Sequence, residues 1–205
     1  MPVATEAYAE WTVVPRAAVD LPLALAPPES FDPASPQSWP RVLGRLEYVG
    51  GQLLYMPPCG GDQEITATDV TFELAAWSRS HPGFVVGSNE AGMMLGNDVR
   101  GADAAIWSAA DFGAGGTAFP RVPPVLAVEV AGRDDTVDLL MDKAAWYLSH
   151  GVRVVWIVVP ATRSVRVVTS DGARDFGAGQ RLPENPLLPR LAPLVDDLFR
   201  QMSGL

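Results

Sequence analysis

Cysteine, histidine and lysine are scarce in this chain. Its 205 residues include one cysteine, Cys59, and two histidines, His81 and His150. A single cysteine excludes an internal disulfide and any cysteine-rich zinc site. Two histidines leave little room for a His-rich metal centre. Lys143 is the only lysine. No apolar run approaches the ~20 residues of a membrane span. The start, Met1-Pro2-Val3-Ala4-Thr5-Glu6, lacks the basic and then apolar segments of a signal peptide, so a cytoplasmic location is expected. No Gly-Lys-Ser/Thr element follows Gly113-Ala114-Gly115-Gly116, which reads as a surface loop and not a phosphate cradle. Ser78, Ser80 and Ser108 have no nucleophile-elbow context. Cys59, beside a turn, reads as an ordinary thiol.

What is present describes a globular α/β chain. Apolar residues make up 48% and charged residues 19%, enough to build a core and too apolar for disorder. The net charge of −9 suits a nucleic-acid binder poorly, because phosphate affinity comes mainly from Lys and Arg. Residues 1–40 are broken by prolines and read as an arm; residues 41–205 read as one domain. Arg45–Val49 and Gln52–Met56 flank Gly50-Gly51 and predict a hairpin. Asp62 is the expected cap of a helix over 63–80, with Ile65, Phe72, Ala76 and Trp77 on its core face. Strands are expected near 84–88, 91–95, 102–107 and 125–131. A helix over 135–150 carries an apolar stripe of Val137, Leu140, Met141, Ala144 and Leu148, and ends at His150-Gly151. A strand over 152–159 completes a βαβ crossover with parallel strands. An antiparallel strand over 165–169 and a short helix near 194–202 follow.

Glu129 stands out. It lies inside Val125-Leu126-Ala127-Val128-Glu129-Val130-Ala131, where a lone carboxylate is costly unless a cation, a metal or hydrogen-bond donors meet it. Strand alternation puts Ala127, Glu129 and Ala131 on one face, and the small alanines leave space beside the acid. Asp103 lies in a second run, Gly101 to Trp107, and Lys143 borders the apolar stripe of the helix that follows Glu129. Two strand-borne acids and a lysine are the ingredients of metal-dependent phosphodiester hydrolysis. Magnesium takes one or two carboxylates and keeps waters for the rest. It polarises the phosphoryl oxygen and acidifies a water, and a lysine can orient that water or stabilise developing charge. Glu47, on the hairpin, could add a carboxylate. Each acid also has a structural reading, in which it pairs with an arginine or faces solvent at a strand end.

The chain resembles the Uma-two family of endonucleases, a bacterial group within the PD-(D/E)xK nuclease superfamily. The resemblance spans roughly residues 42–160. It rests on Leu46-Glu47-Tyr48-Val49-Gly50-Gly51-Gln52-Leu53 with Met56-Pro57-Pro58, on Val99-Arg100-Gly101-Ala102-Asp103, and on Val128-Glu129-Val130. Asp138, Lys143, Tyr147 and the run from Gly151-Val152 to Pro160 complete it. The resemblance implies a restriction-endonuclease-like core, a mixed central β-sheet flanked by helices. It implies Asp103, Glu129, Lys143 and Glu47 as catalytic residues, with Asp103, Glu129 and Val130 at a Mg2+ (or Mn2+) ion. Lys143 is then the motif lysine moved onto the following helix, with Tyr147 one turn later, and DNA is the implied substrate. Three positions depart from the family pattern: Ala102 in place of proline, Gln63 in place of histidine, and Gly132 in place of serine.

Two functions compete on these residues. One is a magnesium-dependent DNA endonuclease. The other is a catalytically silent nuclease-fold module acting through protein contacts. A common point within about 5 Å of both Asp103 and Glu129, with Lys143 aimed at it, favours the first. A closed Glu129–arginine pair favours the second. A homodimer is expected, because burial against a second subunit would cover Trp11, Leu21, Leu23, Leu25 and Trp39 of the arm, with packing on the chain's own core as the alternative.

Overall fold

The computed structural model describes residues 20–113 and 119–204. Trp11 and residues 114–116 of the expected loop fall outside these. The described strands are β1 (Leu23–Leu25), β2 (Arg45–Val49), β3 (Gln52–Met56), β4 (Phe84–Leu95), β5 (Asp98–Ser108), β6 (Leu126–Val130), β7 (Val154–Val159), β8 (Ser164–Thr169) and β9 (Gly172–Phe176). The helices are α1 (Gly61–Arg79), α2 (Ala109–Phe112) and α3 (Val137–Ser149). All nine strands join one mixed sheet in the order β1-β3-β2-β5-β6-β7-β8-β9, with β4 also paired to β5.

Local chemistry accounts for most of this. Gly50 and Gly51 both have positive φ, 57° and 84°, so the two-residue turn matches the twist of β2 and β3. The near-continuous apolar runs of β6 and β7 are buried on both faces, as parallel strands under helices must be. β6 and β7 are parallel, with α3 crossing between them, and β8 returns antiparallel after a 3-10 turn at Pro160–Thr162. β5, β6 and β7 form the middle of the sheet.

One face of the sheet packs Val70 and Leu74 of α1 against Ile106, Val128, Trp156 and the C-terminal segment around Leu198 and Phe199. The other face packs Leu140, Ala144 and Tyr147 of α3 against Ala105, Ala127, Val155 and Ile157. Fully burying a side chain such as Leu74 or Leu198 stabilises by roughly 1.5–3 kcal/mol.

Several expectations need correction. α1 starts at Gly61 with Gly60 at its cap position; Asp62 sits in the first turn and makes no cap bond. The buried face of α1 is Gln63, Thr66, Asp69, Val70 and Leu74, whereas Phe72 is 67% exposed. The apolar pattern misleads because the buried polar groups have partners. Asp69 accepts hydrogen bonds from the Gln201 backbone N–H (2.8 Å) and side-chain amide (2.9 Å). Val137 is half-exposed, and Lys143 takes a place on the buried face of α3. β4 runs unbroken from 84 to 95 through a bulge between Ser88 and Ala91. The segment near 194–202 forms 3-10 turns, Val195–Phe199 and Gln201–Gly204.

The described part of the arm adds to the domain. β1 extends the sheet by pairing with β3, and Trp39 meets Phe31 and Phe119 edge-on.

Candidate active site

The topology leaves a fork in the sheet. One edge of β5 is shared by two strands. Tyr48 of β2 pairs with Val99, and Leu126–Val128 of β6 pair with Ala104–Ile106. Between these pairings, residues 100–103 have no strand partner on that edge. Side chains satisfy the backbone there, as buried peptide groups require. The Gly101 N–H donates to Glu47 Oε1 at 3.2 Å, and the Gly101 carbonyl accepts from Lys143 Nζ at 2.9 Å. Where β6 leaves β5, the Val130 N–H donates to Asp103 Oδ2 at 2.7 Å.

This fork collects the singled-out residues. Asp103 and Glu129 lie one residue past the last pair of the β5–β6 register, on the face that α3 covers. Lys143 reaches from α3 to Glu129 Oε2 and Glu47 Oε1, both at 2.9 Å. With Gly101 this fills all three ammonium donors. Tyr147, one turn on, donates its hydroxyl to Glu129 Oε1 at 2.7 Å. Glu129 therefore pairs with a lysine and a tyrosine and, among the described residues, forms no closed arginine pair. Glu47 and Glu129 are each 2% exposed and Lys143 is 7% exposed.

Two arginines belong to the same cluster, and motif reading passed over both. Arg100 donates Nε to Glu47 Oε2 at 2.8 Å and lies over the Trp146 ring. Arg45 places Nη1 3.3 Å from Asp103 Oδ1. Arg45 was within reach of the sequence, because it lies two residues before Glu47 on β2 and shares its face. Arg100 carried no comparable signal. Asp138 lies exposed in the first turn of α3. His150 caps α3, with Nδ1 2.8 Å from the Trp146 carbonyl.

The acids differ in their proton affinity. Burial raises Glu129 to about 7; Lys143 opposes the rise, and Asp103 adds to it. Burial also works against the Glu47 charge, but Lys143 and Arg100 outweigh it and hold Glu47 at about 2. Burial disfavours the Lys143 charge, yet Glu129 and Glu47 raise its pKa above the ordinary lysine value. Burial and the Glu129 charge push Tyr147 well up, so it stays a hydroxyl donor. Three ion-paired acids, Asp103, Glu47 and Glu129, meet three bases, and Glu90 adds a fourth acid beside Arg45.

The donor set fits a hard divalent cation. Asp103 and Glu129 are oxygen ligands on neighbouring strands, and magnesium asks no more than one or two carboxylates. Among the described residues there is no group of three or more His, Cys, Asp and Glu able to hold a metal, so waters would complete the shell. A pocket of about 260 Å³ opens on Glu47, Glu129 and Lys143, and a neighbouring one of about 560 Å³ reaches Asp103.

Two departures from the family pattern touch each other. The Gln63 amide donates to the Val130 carbonyl at 2.9 Å. A Cβ on Gly132 would lie 2.7 Å from Gln63 Oε1 and 3.2 Å from Asp135 Oδ2. Glutamine at 63 therefore needs the space that a serine at 132 would fill. Ala102 is fully buried on β5.

The fork, the flanking helices and the mixed sheet define a nuclease-like α/β fold. The sequence profile of the Uma2 (Uma-two) family, described as "Putative restriction endonuclease", matches residues 37–196, and the chain belongs to that family. Its fold is similar to the crystal structure of a "putative nuclease belonging to DUF820" from Anabaena variabilis. That match has a TM-score of 0.70 at 15% identity, over 80% of this chain and 94% of the other. No curated protein matches the chain. No helix among the described residues is long and apolar enough to cross a membrane.

Proposed function

We propose that the protein is a Mg2+- or Mn2+-dependent DNA endonuclease that hydrolyses phosphodiester bonds at the fork between β2, β5 and β6. The observation that carries this reading is the meeting of Asp103, Glu129 and Lys143 on one face of the sheet. Asp103 and Glu129 would hold the ion. The Val130 carbonyl, which keeps a second lone pair beyond its bond from Gln63, is a third oxygen within the same cluster. When bound, such an ion polarises a phosphoryl oxygen and acidifies a water. The side chains do the rest. Lys143 keeps its proton and offers fixed positive charge to developing negative charge on the phosphate. Tyr147 orients Glu129, and Glu47 holds Lys143 and Arg100 in place. The protein works in the cytoplasm as a homodimer in this reading.

A second reading, the silent module acting through protein contacts, draws on one observation. Each acid of the fork is already paired with a protein cation, on a chain of charge −9. Thermal melting separates the two. Millimolar Mg2+ or Mn2+ raises the melting temperature of an enzyme with this site by mass action. Glu129→Gln and Asp103→Asn lose that rise. The silent module shows no metal-dependent rise in the wild type.

A further inference from the structure

The three cations of the fork are held very differently. Lys143 has an acceptor for each ammonium donor. Arg100 is fixed by its Nε bond to Glu47 and by the Trp146 ring. Arg45 makes a single, long contact to Asp103, so among the described residues four of its five donors have no protein acceptor. Yet its side chain is only 15% exposed. Arg45 also lines both pockets, the one with Glu129 and the one with Asp103. It feels Asp103, Glu129, Glu47 and Glu90 together, which offset the cost of burying its charge. A cation-sized charge thus stands beside the two carboxylates, loosely bonded, with a planar donor fork left over.

Building on the metal-dependent reading, we propose that Arg45 is a resident cation that a divalent ion displaces from Asp103, and that the freed guanidinium then holds a phosphate of the nucleic-acid strand. The charge count motivates the exchange. A divalent ion added to these three acid–base pairs outweighs the one further acid, Glu90, and leaves an excess of positive charge, which an anionic phosphate on Arg45 offsets. Guanidinium geometry suits that task, since two parallel N–H donors match a phosphate edge. Arg45 is a binding residue in this scheme and takes no part in proton transfer.

Arg45→Met tests both halves. Mn2+ titrations read by thermal melting give the first. With the competing charge removed, the variant reaches half its metal-induced rise at several-fold lower Mn2+ than wild type. Cleavage of a labelled duplex at saturating Mn2+ gives the second. Loss of a charge-assisted contact raises KM roughly tenfold or more while kcat changes less. Arg45→Gln, which can still hydrogen-bond to Asp103, stands in if methionine unfolds the cleft, with the same two expectations. Equal Mn2+ midpoints for variant and wild type overturn the displacement and leave the nuclease reading intact. An unchanged KM overturns the phosphate role. If neither protein responds to Mn2+, the metal-dependent reading fails and this proposal falls with it.

Discussion

Replacing Lys143 with methionine removes the one ammonium that serves two acids, each 2% exposed. Methionine keeps most of the volume, so the loss is electrostatic. Removing one partner of a buried ion pair costs about 3–5 kcal/mol. For a chain of this size 1 kcal/mol moves the melting temperature by about 2–4 °C, which gives a fall of roughly 6–20 °C. The cost should depend on pH, and the sign follows from the shifts. Glu129 is raised to about 7, so between its ordinary value and 7 the folded chain holds a proton that the unfolded chain has released. Its contribution to wild-type stability therefore declines as pH rises through that window. Glu47, lowered to about 2, contributes stability at neutral pH that is lost as pH falls from the ordinary glutamate range through 2. Without Lys143 both acids shift upward; Glu47 keeps Arg100, whereas Glu129 loses the cation in contact with it, and protonation relieves that charge. Melting curves by circular dichroism should show a larger deficit for Lys143→Met at pH 8 than at pH 5. A deficit under about 1 kcal/mol, or one equal at both pH values, would refute the reasoning.

The remaining predictions are smaller perturbations of the same site. Tyr147→Phe leaves Glu129 Oε1 without its 2.7 Å donor and should cost about 1–3 kcal/mol in urea unfolding at neutral pH. Gly132→Ser should destabilise by about 1–3 kcal/mol through crowding of Gln63. Combined with Gln63→His it should cost less than the sum of the single changes, a coupling that a double-mutant cycle measures. Light scattering at micromolar concentration should return a dimer, and the 21.9 kDa monomer mass would contradict that.

Much of this architecture was legible because apolar patterning is strong where the sheet is covered on both faces. β6, α3 and β7 lie within two residues of their expected limits, and the Gly50-Gly51 hairpin matches its expected ends. β1 and β9 escaped because a three-residue edge segment and the mostly exposed Gly-Ala-Arg-Asp-Phe run carry no core-facing alternation. The α1 face was misread for a related reason. Gln63 and Asp69 are buried by partners more than 60 residues away in sequence, which no local pattern announces. Within the site, Glu129 was visible as an acid in an apolar strand. The fork itself was not, because it depends on β2 and β6 sharing one edge of β5. Lys143, the only lysine in the chain, looked peripheral by helical periodicity, yet three acceptors draw it inside.

Cleavage of a supercoiled plasmid tests the central claim most directly. The wild type should nick or linearise the plasmid with millimolar Mg2+ or Mn2+ and leave it intact with a chelator. Glu129→Gln, nearly identical in shape, should leave the plasmid intact under both conditions. A wild type that never cuts, or a Glu129→Gln variant that cuts as well as wild type, would contradict the assignment of the fork as a metal-dependent nuclease site.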